Sequence, residues 1–226
     1  MIKRLLSIAL VAAALAAAPL SGAARAGDNK GNVLVKVYAG AIITDNDWSG
    51  PLDGKVNASD EFIPTMTITA FVTDNIALEM LCCFSKHSFN SRLGGGKLAD
   101  TWIFPPTISL QYHQQIGAFK PYVGVGVGYI HFFSETGFSD LNGDGAPDGY
   151  NLSDTWALAL GGGLDVALGG GWQLSVDFKK FLGVDADLAI NGQHVDQAHL
   201  DPWLISAGVG YRFNFCDLLG TCSSGG

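Results

Sequence analysis

Residues 62–84 read FIPTMTITAFVTDNIALEMLCCF, and their spacing decides the fold. Phe62, Pro64, Met66, Ile68, Ala70 and Val72 alternate with Ile63, Thr65, Thr67, Thr69 and Phe71, so one face is apolar while the other carries hydroxyls. A period of two belongs to an extended strand, because a helix brings residues to one face every three or four positions. Thr73-Asp74-Asn75 is a turn by composition. Beyond it Ile76, Leu78, Met80, Cys82 and Phe84 alternate with Ala77, Glu79, Leu81 and Cys83. The stretch predicts a β-hairpin with one greasy surface.

The pattern continues in both directions. Upstream, residues 33–44 set Val33, Val35, Val37, Ala39, Ala41 and Ile43 against Lys36 and Thr44. Downstream, residues 102–113, 121–133, 156–166, 172–179 and 203–213 alternate in the same way, which brings the count to eight segments. Connections after the second, fourth and sixth segments are short (73–75, 114–120, 167–171), whereas those after the first, third, fifth and seventh are long. Short turns at one rim and long loops at the other are the habit of an all-β, eight-stranded antiparallel up-and-down transmembrane β-barrel, with its turns periplasmic and its loops extracellular.

Composition agrees. The 226 residues are 48% hydrophobic, 15% charged and include 30 Gly, yet no mature stretch reads as a spanning helix. The longest mature stretch without Asp, Glu, Lys or Arg, residues 101–119, holds Pro105, Pro106, Gln111, His113, Gln114 and Gln115. A closed sheet is the other way to satisfy backbone groups in a bilayer. Lys3 and Arg4, the apolar run 5–20 and Ala24-Arg25-Ala26 predict an export signal over residues 1–26 that is cleaved. Its loss leaves 10 basic against 21 acidic residues, a net charge of −11. Such a chain has no basic face for nucleic acid. A soluble barrel shows the same period with its apolar face inside. Trp156, Trp172, Trp203, Tyr129, Tyr211 and Phe213 stand at segment ends on the apolar face, where a lipid interface places amphipathic rings, and this favours lipid outside.

Five strings carry a family likeness: Leu93-Gly94-Gly95-Gly96-Lys97-Leu98, Pro105-Pro106 through Tyr112, Lys120-Pro121-Tyr122-Val123-Gly124, Ser153-Asp154-Thr155-Trp156, and Asp201-Pro202-Trp203 with Gly210-Tyr211-Arg212-Phe213. In this order they resemble the OmpW family of outer-membrane proteins. The resemblance implies an eight-stranded barrel over residues 27–213 with a narrow, largely apolar interior, and passage of small hydrophobic molecules across the outer membrane. The chain departs from the family beyond Phe213: residues 214–226 form a tail, expected in the periplasm, where Cys216 and Cys222 are candidates for a small disulfide loop.

Residue by residue, the lumen face has two zones. Lys36, Glu79, His113, Asp165 and Arg212 fall towards the periplasmic ends and predict a polar floor of mixed sign. Ile63, Leu81, Cys83, Ile103, Ile130, Phe132, Phe181 and Leu204 predict an apolar zone nearer the loops. Such a floor opposes direct descent of an apolar solute, though small barrels also fill their lumen simply to pair buried charges. Pro64, Pro105, Pro106 and Pro202 lack the N–H for a ladder bond, which makes the outer strand ends the candidate lateral exit. Asp140, Asn142, Asp144 and Asp148 occupy positions 1, 3, 5 and 9 of a calcium-type loop with Gly145 at 6, but Asn151 stands where a bidentate Glu belongs. Ordinary acidic turn chemistry is the competing reading. Ser85, His87, Ser88 and Asp100 share one loop without a pattern that orients a base, so the chain reads as no enzyme. Two functions stand: passage of small hydrophobic solutes, and a structural or receptor-type surface barrel whose loops bind a partner or calcium. Neither requires a cofactor, and a closed ring without sheet edges is expected to be monomeric.

Overall fold

The structure, a computed structural model, describes residues 32–45, 47–92, 96–137 and 148–214. The barrel strands are β1 (Val33–Ile43), β4 (Glu61–Phe71), β5 (Ile76–Cys83), β8 (Thr107–His113), β9 (Phe119–Gly137), β11 (Thr155–Gly169), β12 (Trp172–Leu182) and β15 (Trp203–Phe213). Each pairs antiparallel with its neighbour in the order β11-β12-β15-β1-β4-β5-β8-β9, and a β9–β11 ladder closes the ring. The seam joins first strand to last, from Val33↔Phe213 to Ile43↔Trp203.

Local chemistry sets the hairpins. At the β4–β5 turn the Thr73 hydroxyl accepts from the amides of Asn75 (3.3 Å) and Ile76 (2.9 Å), a side-chain substitute for backbone pairing. Side chains then alternate as the pleat demands. Val37, Leu110, Val125, Leu160 and Val209 are exposed outside, while Lys36, Glu79, Gln111 and Asp165 are buried within. An apolar exterior around a charged interior is the reverse of a soluble protein and fits hydrocarbon solvent. This is an eight-stranded closed barrel that spans the membrane.

The long connections hold more structure than their composition predicts. Among the described residues they contain seven further strands: β2 (Asp47–Trp48), β3 (Val56–Ala58), β6 (Ser85–Ser91), β7 (Lys97–Phe104), β10 (Tyr150–Leu152), β13 (Asp185–Ile190) and β14 (Gln193–His199). The β6–β7 hairpin continues the barrel wall by pairing with the outer half of β9. A second sheet, β10-β13-β14-β2, stands over the mouth. The expected fourth segment, residues 102–113, is two strands: Pro105-Pro106 interrupts the ladder, so Trp102 and Ile103 belong to the extracellular hairpin.

Candidate functional site

The lumen is built from inward positions of strands that face one another across the ring. The Lys36 ammonium lies 3.5 Å from Glu79 and 3.6 Å from Asp165. Lys179 lies 2.9 Å from Glu79 and 2.6 Å from Asp177. The Tyr122 hydroxyl donates to Asp177 (2.7 Å), Ser175 to Asp165 (2.6 Å), and the Lys36 ammonium stands 4.7 Å above the Tyr122 ring. Lysines and carboxylates are rarely buried unless paired. Here the pairing spans the lumen and fills it.

Of the five floor positions marked from sequence, the structure brings Lys36, Glu79 and Asp165 into one network. His113 lies beside it, hydrogen-bonded to Gln111 (2.9 Å) and stacked on Tyr122 at 4.7 Å. Arg212 sits towards the periplasm, its guanidinium 3.9 Å from the Phe71 ring, with Lys120 over the same ring at 4.4 Å. Asp177, Lys179, Tyr122, Tyr38, Lys120 and Phe71 were not marked. The period of two places five of them inward and is the signal that could have found them; Lys120 falls in the expected connection 114–120, whereas the strand in fact begins at Phe119. Glycine makes the room: a Cβ at Gly163 would fall 2.5 Å from the Tyr122 ring, and one at Gly210 2.8 Å from the Lys36 stem.

Above the plug, Ile63, Leu81, Cys83, Ile130, Phe132, Phe181 and Leu204 are buried in one apolar cluster against which Ile103 packs. All of these except Ile63 line a small apolar cavity whose wall also includes Pro105 and Pro202. Beside it the wall is incomplete. The β4–β5 ladder stops at Thr65↔Cys83, one step short of Pro64, while β1–β4 pairing continues to Ile42↔Glu61. The β5–β8 ladder stops at Leu81↔Thr107, just before Pro106. Phe62, Phe84 and Ile108 are exposed on the lipid side of this break, and Phe84 stacks on Phe104 at 4.6 Å.

Of the calcium-type loop, Asp140, Asn142 and Asp144 lie outside the described residues, as do Cys216, Cys222 and the signal segment. Asp148 is buried and accepts from the Asn191 amide at 2.6 Å. Two histidines bear on catalysis. Ser85 bonds His87 (3.1 Å), but the other His87 nitrogen meets the Ser59 carbonyl and Asp100 binds Ser88, Lys86 and Lys97, so no carboxylate orients the ring. Burial lowers the His87 pKa. Ser49, His199 and Asp185 are linked by contacts of 2.5 Å each. Beside them the Asp196 carboxylate accepts from the Leu52 amide (2.8 Å). These contacts join the end of β2 to β13 and β14 within the second sheet.

Comparison with known proteins agrees with this architecture. The outer-membrane protein y4mB of Sinorhizobium fredii is 35% identical over 192 residues, covering 79% of each chain. Outer membrane protein AlkL of Ectopseudomonas oleovorans is 31% identical over 204 residues, covering 83% of this chain and 85% of that one. The crystal structure of the outer membrane protein OprG from Pseudomonas aeruginosa superposes with a TM-score of 0.70 at 26% identity, covering 82% of this chain and 97% of its own. The profile described as OmpW family matches residues 29–213. With an eight-stranded ring, a lipid-facing exterior and that match over most of its length, the chain belongs to the OmpW family of Gram-negative outer-membrane barrels.

Proposed function

We propose that this barrel passes small hydrophobic molecules across the outer membrane and releases them sideways into the bilayer rather than through its floor. The observation that carries the reading is the position of the apolar cavity: it sits directly on a charged plug and reaches Cys83 and Pro105, where the strand ladders stop. An apolar solute descending into the plug would strip Lys36, Glu79 and Lys179 of partners without replacing them, and each buried polar group left unpaired costs about 1–3 kcal/mol or more. Moving outward past Pro64 and Phe84 instead opens no complete ladder and meets Phe62, Phe84 and Ile108. The family resemblance implies the same class of cargo.

The test uses intact cells, because their lipopolysaccharide leaflet is the barrier. A disulfide between Pro64→Cys and Phe84→Cys, one step beyond the last β4–β5 pair, is expected to stop uptake of an apolar tracer and to release it on reduction. Lys36→Met is expected to leave uptake unchanged. Transport by the oxidised barrel, together with loss in Lys36→Met, would place the route through the floor.

A further inference from the structure

The extracellular half holds a second apolar cavity, half open to its surroundings, higher than the first and larger: about 150 Å³ against about 50 Å³. Its wall is formed by Leu52, Val56, Leu98, Leu152, Leu188 and Ile190, drawn from the β6–β7 hairpin, the second sheet and the segments between. The polar groups at its edge are engaged elsewhere. Asp148 accepts from Asn191, and the Tyr150 hydroxyl donates to the Asp100 carbonyl. Trp48, also in the wall, is 6% exposed and keeps its indole N–H without a partner.

Only one described residue borders both cavities. Phe89, on β6 and 5% exposed, lies between them, edge-on to Trp48 with ring centroids 6.2 Å apart. It also sits where the β6–β7 register slips, between Phe89 and Asn90, an irregularity of the kind that re-aims a side chain.

We propose that the upper cavity is a binding site for a single-ring apolar molecule carrying at most one hydrogen-bond acceptor, and that Phe89 sets the size of molecule that reaches the lower cavity. The inference rests on the passage reading above and adds the cargo class and the residue that selects it. Size and lining support the first half: the apolar space of about 150 Å³ matches the volume of an aliphatic and aromatic cavity that takes up benzene. The unpartnered indole of Trp48 suits an aromatic face or one oxygen on the cargo. The second half follows from the walls. Phe89 is the partition common to both cavities, so its ring must turn aside for a molecule to move down, and a cargo wider than one ring needs more space than that swing clears.

The test combines binding with transport. In lipid nanodiscs with labelled leucine methyls, toluene is expected to give saturable shifts at Leu152 and Leu188, with Leu81 and Leu204 unmoved at low occupancy. In Phe89→Ala the two sets are expected to move together. In intact cells Phe89→Ala should raise naphthalene uptake relative to toluene at least tenfold, the milder Phe89→Leu should raise it less, and Phe89→Trp should slow both. Absence of saturable shifts at Leu152 and Leu188 would overturn the site. An unchanged naphthalene-to-toluene ratio in both Phe89→Ala and Phe89→Leu, each folded by gel mobility, would overturn the role of Phe89. Saturable binding in a wild-type barrel whose cells take up neither compound would sustain the site and reject the passage reading.

Discussion

The Lys179 ammonium stands 2.9 Å from Glu79 and so joins β12 to β5, two strands on opposite sides of the ring. An eight-stranded interior is only wide enough for side chains to fill, and this contact crosses it. Both residues are buried. Removing one member strands a charge, so Lys179→Met should cost about 3–5 kcal/mol. Glu79→Leu added to it should recover most of that loss, because Lys36 keeps Asp165 and Asp177 keeps Tyr122. Urea titration of the folded fraction in bilayers checks both values.

Lipid contact is the second expectation. Leu110, Val125 and Leu160 are exposed on the barrel exterior. Arginine at any of them should destabilise by about 2–4 kcal/mol near the midplane, whereas Gln197→Arg, on the extracellular sheet, should stay within about 0.5 kcal/mol. Equal effects at all four positions would contradict the orientation.

The third concerns acid. Burial alone would raise the Asp100 pKa, but hydrogen bonds from Lys97, Lys86 and Ser88 outweigh it and hold the carboxyl at about 2. A carboxylate with a depressed folded-state pKa adds stability that is complete above its unfolded value, about 3.9, and is lost as pH falls towards about 2. The β6–β7 hairpin should therefore loosen over that window, reported by Trp102 fluorescence. Asp100→Asn should show no such transition.

Calcium provides the fourth. At millimolar concentration it is expected to protect residues 138–147 from protease, and Asp144→Ala should remove the protection. Cleavage unchanged by calcium would favour the acidic-turn reading, with Asp148 held by Asn191.

Much of this molecule was legible because the pleat has a period of two and each barrel strand has a lipid side. That geometry placed Lys36 and Glu79 inside and Leu110 and Val125 outside without a contact map. What it hides is level: alternation says which face a residue occupies, not which residues of distant strands meet. Lys179 looked like one polar residue among several on its strand, and only the registers bring it to Glu79. The extracellular sheet escaped for another reason. Strands as short as Asp47–Trp48 carry too few residues to show a period, and they exist because Trp48, Leu152 and Leu188 bury one another.

The seam between β1 and β15 has a consequence for assembly. It pairs Val33 with Phe213, nearly the whole chain apart, so its ladder carries the largest closure entropy of the ring. Until that seam zips, Lys36 on one edge and Arg212 on the other belong to an open sheet whose future interior faces whatever medium surrounds it. Exposed to hydrocarbon, the lysine, arginine and carboxylates of the plug would each be expensive to carry. Insertion and curling must therefore advance together, with the salt-bridged plug condensing as the two edges approach, and a barrel arrested before zipping would hold its charges against lipid and be selectively unstable in the bilayer.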